Sequence, residues 1–78
     1  MPHPNIQGNC IGKNLRKARK AAHLTQLQLS AALSIEYGIE LSEPLISKIE
    51  SGERTVRDKE LVALCRILNV SPNVLLDW

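Results

Sequence analysis

The sequence has no phenylalanine, one tyrosine and one tryptophan in 78 residues. Its apolar fraction is nevertheless 44%. The core must therefore come from Leu, Ile, Val and Ala, which suits close-packed helices better than an aromatic-rich sheet. No stretch approaches the roughly 18 consecutive apolar residues of a membrane span. Met1 to Gln7 carries Pro, His and Asn where a secretory signal would be apolar, so a cytoplasmic chain is expected. There is no metal-ligand cluster, no glycine-rich phosphate loop and no histidine set near an acid and a nucleophile. These absences exclude a recognisable enzyme and leave no cofactor or metal to assign. The two cysteines, Cys10 and Cys65, have no ligand spacing and read as a free surface thiol and a buried small residue.

The net charge of +2 is too small to identify a polyanion partner, but its distribution is uneven. Lys13, Arg16, Lys17, Arg19 and Lys20 crowd one segment that holds no acid. Such a run is either a solvated helix face or part of an anion-binding surface.

Residues 1–9, with two prolines, two asparagines and a glycine, read as a flexible arm, and residues 10–78 as one domain. Ile11, Leu15, Ala18 and Ala22 form one helical stripe, which ends at His23-Leu24. Thr25 and Gln28 have the spacing of a capping box and open a second helix, with Leu29, Ala32 and Leu33 inward. Its apolar pattern continues through Ile35 to Tyr37, and Gly38 is a left-handed stop. Ser42 is the N-cap of a short third helix, with Glu43 and Pro44 in its first turn and Leu45, Ile46 and Ile49 inside. Gly52 ends it. A fourth helix is predicted from Asp58 to Leu68 on Leu61, Leu64, Cys65 and Leu68. Ser71-Pro72 opens a fifth that carries Val74, Leu75 and Trp78. Five helices and no strand pattern give an all-α domain.

The order Leu24-Thr25-Gln26, Leu29, Ala32, Leu33, Ser42, Ile46-Ser47, Ile49-Glu50, Gly52 closely resembles the phage-repressor and Cro-like helix-turn-helix family, the XRE-type transcription regulators. The likeness continues through Arg54, Glu60-Leu61-x-x-Leu64 and Val70-Ser71, covering roughly residues 11 to 76. It implies a compact five-helix bundle of the lambda-repressor-like DNA-binding type and sequence-specific binding of double-stranded DNA, with the third helix in the major groove. Between Leu33 and Ser42 the chain has about six more residues than most members, a modest closure cost. This matches a subset with a lengthened turn between helices 2 and 3.

On this reading Ile46 and Ile49 hold the third helix while Glu43, Pro44, Ser47 and Lys48 face the bases. Glu43 either accepts from cytosine N4 or only complements the helix N-terminus. Thr25 and Gln26 open the second helix, where free amides favour a phosphate. The family likeness places phosphate contacts at Gln26, Ser51 and Arg54, and Arg57 is a looser candidate. The likeness also implies an ion pair between Arg19 and Glu50, structural first, with Arg19 as a phosphate ligand second.

A homodimer is expected, because one short reading helix contacts too few base pairs to find a site. Its candidate surface is the C-terminal segment with Pro72, Val74, Leu76 and Trp78. Alternatively Val74 and Leu75 close the core and Trp78 caps it. The competing function on the same fold is an antitoxin or protein-interaction adaptor with a partner protein and weak DNA binding.

Overall fold

In the computed structural model, which describes residues 8–76, each of the first four helices stops where the backbone can turn back on itself. The helices are α1 (Gly8–Ala21), α2 (Gln26–Tyr37), α3 (Glu43–Glu50), α4 (Asp58–Leu68) and α5 (Pro72–Leu76), with no strand among the described residues. α1 begins at Gly8, so it takes in the last residues of the predicted arm, Asn9 among them, and also Cys10. The rest of the arm and Trp78 lie outside the described residues.

Four helix ends share one device. His23, Gly38, Gly52 and Asn69 have φ values of 59°, 64°, 85° and 57°. This left-handed turn lets two amides fold back onto orphan carbonyls. Thus His23 N donates to Lys20 O and Leu24 N to Arg19 O; Gly52 N donates to Ile49 O and Glu53 N to Lys48 O; Asn69 N donates to Arg66 O and Val70 N to Cys65 O. Asn and His tolerate this region better than most residues with a Cβ. α2 opens on the expected capping box: Thr25 Oγ1 accepts from Gln28 N at 3.0 Å, and Gln28 Oε1 accepts from Thr25 N at 2.8 Å. Ser42 has the extended backbone of an N-cap, but its hydroxyl makes no capping bond. The predicted side-chain cap of α3 is therefore missing.

The core is one cluster built on Leu15, Leu29, Leu33, Leu41, Ile46, Ile49, Leu64 and Leu75, all fully buried. α1 packs on α3 and α5, and α2 on α3 and α4. Cys65 joins this core as a free thiol, and burial pushes its pKa up, which keeps it neutral. Three positions of the expected apolar pattern are corrected, Tyr37 at the end of α2 being exposed as well. Ala22 lies past the end of α1 and is exposed. Ile35 is 82% exposed, because it stands on the side of α2 away from Leu29 and Leu33.

The long connection between α2 and α3 is absorbed in two ways. α2 runs to Tyr37 before Gly38 turns it at φ 64°. The remaining segment then sends Leu41 into the core, with its carbonyl accepting from Ser30 Oγ at 2.6 Å. Burying a leucine in this way stabilises by about 1.5–3 kcal/mol, more than the added loop closure costs.

Close approach fixes α1 against the foot of α3. A Cβ on Gly12 would fall on the carbonyls of Ile49 and Glu50, 2.7 Å from the Glu50 oxygen. Glycine inside a helix costs about 1 kcal/mol against alanine, and here that cost permits the contact. Asn14 Nδ2 donates to Leu75 O at 3.1 Å, tying α1 to α5 as well.

Candidate nucleic-acid interface

α3 is held from within and bare without. Ile46 and Ile49 are fully buried and Leu45 is half-buried, whereas Glu43, Pro44, Ser47 and Lys48 are all exposed. Among the described residues, no hydrogen bond or ion pair engages the side chains of Glu43, Ser47 or Lys48.

The foot of α3 is clamped by a network that converges on Glu50. Arg19 Nε donates to Glu50 Oε2 at 2.7 Å, and Arg19 Nη2 to Glu50 Oε1 at 3.1 Å. Arg19 Nη1 reaches the Leu24 carbonyl at 2.8 Å, and Gln26 Nε2 donates to Glu50 Oε1 at 3.1 Å. Both members of the ion pair are largely buried, with side chains 11% and 6% exposed. The hydrogen bond to Glu50 raises the Arg19 pKa, and its charge adds to this against the opposing effect of burial. One carboxylate thus ties α1, the turn after it, the first residue of α2 and the last of α3 together. Arg16, Ser47 and Ser51 join Arg19, Gln26 and Glu50 around a polar cleft at this point.

A second network lies beyond α3. Arg54 Nη1 and Nη2 donate to Glu60 Oε1 and Oε2 at 3.0 and 3.1 Å, and Nη1 also reaches Thr55 O at 3.1 Å. Glu60 Oε1 accepts from Arg57 N at 3.0 Å as well. It thereby satisfies the residue that precedes α4, whose own guanidinium has no acceptor to offer. Burial alone would raise the Glu60 pKa, but the hydrogen bonds from Arg54 and the Arg57 amide, with the charges of both arginines, bring it below the ordinary value. The bond to Glu60 likewise raises Arg54 against the effect of burial.

The remaining sequence-derived candidates are dispersed around α3. Thr25 and Arg57 are exposed at the start of α2 and just before α4. Ser51 Oγ lies 3.1 Å from Lys48 O and 2.9 Å from Glu53 Oε2, and its single proton can serve one of them. Lys13, Arg16, Lys17 and Lys20 are exposed on α1, whereas Arg19 is turned inward. Pro72 and Val74 are exposed, Leu76 is half-buried and Leu75 alone of this segment is fully buried.

Sequence reading named Glu60 within the family likeness but missed its role as partner of Arg54 and the Arg57 amide, and it missed Gly12, Asn14 and Leu41. Glu60 had a visible signal, since it stands at the third position of α4, where a carboxylate reaches back to the preceding amide. Gly12 had one too, as a glycine inside a helical pattern that marks close backbone approach. Asn14 and Leu41 had none.

A short helix with a bare face, footed on a clamped pair and preceded by a capped helix, defines a helix-turn-helix module. The chain matches the helix-turn-helix family over residues 15–75 and belongs to it, in the phage-repressor and Cro-like branch. No curated protein and no solved structure matches the chain. The family is one of DNA-binding, repressor-like regulators. Among the described residues no helix is long and apolar enough to cross a membrane.

Proposed function

We propose that this protein is a sequence-specific transcription regulator that reads double-stranded DNA with α3 in the major groove, acting in the cytoplasm as a homodimer. The observation that carries the reading is the bare face of α3, where Glu43, Pro44, Ser47 and Lys48 are exposed above a foot fixed by Arg19 and Glu50. Lys48 donates to guanine O6 or N7, Ser47 serves either base edge, Pro44 offers contact to a thymine methyl and Glu43 accepts from cytosine N4. Thr25, Gln26, Ser51 and Arg57 hold phosphates and set the register. Arg54 joins them only with the donor capacity that Glu60 leaves over, so its contribution to phosphate binding is smaller than the family likeness implies. The C-terminal segment, with Pro72 and Val74 exposed, supplies the dimer surface.

Selecting bound sequences from a random DNA pool, followed by a salt titration, tests this. If each protomer neutralises three or four phosphates, the slope of log affinity against log salt is about −5 to −7. No enriched sequence and a slope near zero would sink the proposal.

A second reading, an antitoxin or interaction adaptor with weak DNA binding, draws support from the acids Glu43 and Glu53 exposed around α3 and from the engagement of Arg54. Stable capture of a partner protein in the absence of nucleic acid, with no DNA sequence enriched, would favour it.

A further inference from the structure

Between the end of α2 and the outer face of α4 lies a groove of about 370 Å³. Tyr37 and Val62 stand exposed along it, while half-buried Ile39 and buried Ala63 lie deeper. Lys59, Val62, Ala63 and Arg66 have the spacing of one helix face, so the α4 side of the groove is an apolar centre bracketed by two cations. Among the described residues, no hydrogen bond or ion pair engages the side chains of Tyr37, Lys59 or Arg66. Asp58, the other charged residue of the groove, stands beside Lys59 in the first turn of α4, where free amides favour an acid. That leaves Arg66, roughly 12 Å further along the helix axis, as the uncompensated charge. Arg66 also borders a second hollow, against Val70 and Pro72, so apolar surface flanks the guanidinium on both sides. Such surroundings strengthen an ionic hydrogen bond relative to one in open water.

We propose that this groove binds a small amphipathic carboxylate, its carboxylate forked on Arg66 and its apolar body over Val62, Ala63, Ile39 and Tyr37. Charge and shape select that chemistry together. A planar guanidinium takes a carboxylate through two parallel bonds, and here no neighbouring side chain occupies it. An apolar body removes from water the Tyr37 and Val62 surface that the fold leaves exposed. A cationic ligand would be repelled at the Arg66 end, and a purely ionic one would leave that apolar surface wet. The volume falls in the lower part of the ~300–1,000 Å³ range of small-molecule sites. It is far too small for a folded partner, which needs ~800 Å² of buried surface on each side.

None of the lining residues belongs to α3 or to the network at its foot. Binding here therefore does not rest on the DNA-reading function proposed above, and each can fail without the other.

The probe is naphthoate, a bicyclic apolar body with one carboxylate, titrated into the full chain and followed by amide NMR. Saturable shifts are expected at Ile39, Val62, Ala63 and Arg66, with a Kd of about 1 mM or tighter for a ligand of this size. Naphthamide keeps the body without the charge and should bind roughly tenfold more weakly. Arg66→Gln, an exposed change, should lower naphthoate to the level of naphthamide and leave naphthamide unchanged. Val62→Asp should remove binding of both. Lys17→Gln, on the basic face of α1, should alter neither, which separates the groove from general attraction of an anion. Equal affinity for the two ligands would overturn the proposal, as would naphthoate binding that survives Arg66→Gln. Shifts centred on α1, or no saturation at roughly ten times the expected Kd, would overturn it too. So would groove resonances that move with protein concentration in the absence of ligand, since a second copy would then be the occupant.

Discussion

Glu50 grips Arg19 through both carboxylate oxygens, at 2.7 and 3.1 Å, across 31 residues of sequence. The pair joins the first helix to the foot of the third, so its loss should be felt in folding before it is felt in any binding reaction. Removing one member of a largely buried pair strands the other charge. For Arg19→Ala a loss of about 2–4 kcal/mol follows, against under about 1 for an exposed pair. In a domain of this size that lowers the melting temperature by roughly 10–20 °C. Arg19→Lys keeps the charge but not the fork, and should fall between. A melting curve that Arg19→Ala leaves in place would reduce the pair to a surface contact.

The Arg54–Glu60 pair carries a pH signature. The Glu60 carboxyl lies below its ordinary value of 4.5 in the folded chain. The unfolded chain takes up that proton at the ordinary carboxylate pH and the folded chain only at lower pH. The stabilisation is therefore complete above the ordinary value and is lost as pH falls through the lowered one. Melting temperatures of wild type and Glu60→Gln should differ most near neutrality and converge as pH falls below the ordinary carboxylate value. A constant difference across that range would show that Glu60 stabilises by packing alone.

Gly12→Ala separates helix propensity from close approach. Alanine is the better helix former by about 1 kcal/mol, so an unconstrained site would gain stability. Here the new methyl meets the backbone carbonyls of Ile49 and Glu50, and backbone yields poorly. Overpacking of this kind costs about 1–3 kcal/mol, which makes the net change a loss. Urea unfolding should show a lower midpoint at unchanged slope. A raised midpoint would mean that α1 slides away from α3 at little cost.

Much of this architecture was legible in the sequence because its signals are local. The capping box at Thr25 and Gln28, the left-handed stop at Gly38 and the buried pair Ile46 and Ile49 each involve residues within one or two turns. Signals that depend on a partner far along the chain were not legible. Nothing near Leu41 says that a loop leucine will enter the core, and nothing near Asn14 points to a carbonyl 61 residues away. Ile35 misled for a related reason. A helical repeat shows that a stripe exists, but it cannot say which of two stripes on α2 the core will take. In the candidate site, the exposed face of α3 followed from its buried one, since the two alternate with the helical period. Arg54 shows the limit, because its bidentate carboxylate lies on the next helix.

Lys48 and Gln26 should fail in different ways on DNA. Lys48 is exposed on the bare face of α3, while Gln26 sits at the start of α2 and is steadied by Glu50. Lys48→Ala is expected to change the preferred base at one position by about 1–3 kcal/mol. Gln26→Ala should weaken all sequences alike. Competition binding against a panel of single-base variants distinguishes the two patterns. If Lys48→Ala lowers every affinity equally, it is a phosphate ligand.

The proposed dimer surface needs a variant that spares the core, which truncation of α5 does not. Leu75 is fully buried, and its carbonyl accepts from Asn14, so deleting α5 removes part of the core together with any interface on this helix. Val74 offers a cleaner test at 49% exposure, one residue before Leu75 on the outer side of α5. A lysine there leaves the core intact but places a cation in any apolar contact, and two such cations oppose each other across a two-fold axis. Val74→Lys is expected to keep the wild-type melting temperature within a few degrees, as a surface change of under about 0.5 kcal/mol would. Sedimentation should then show a monomer where the proposed dimer is expected of the wild type. The DNA footprint should shrink from two half-sites, about 34 Å apart on one face of the duplex, to one. A variant that still protects both half-sites at the wild-type concentration would place the dimer contact on another surface.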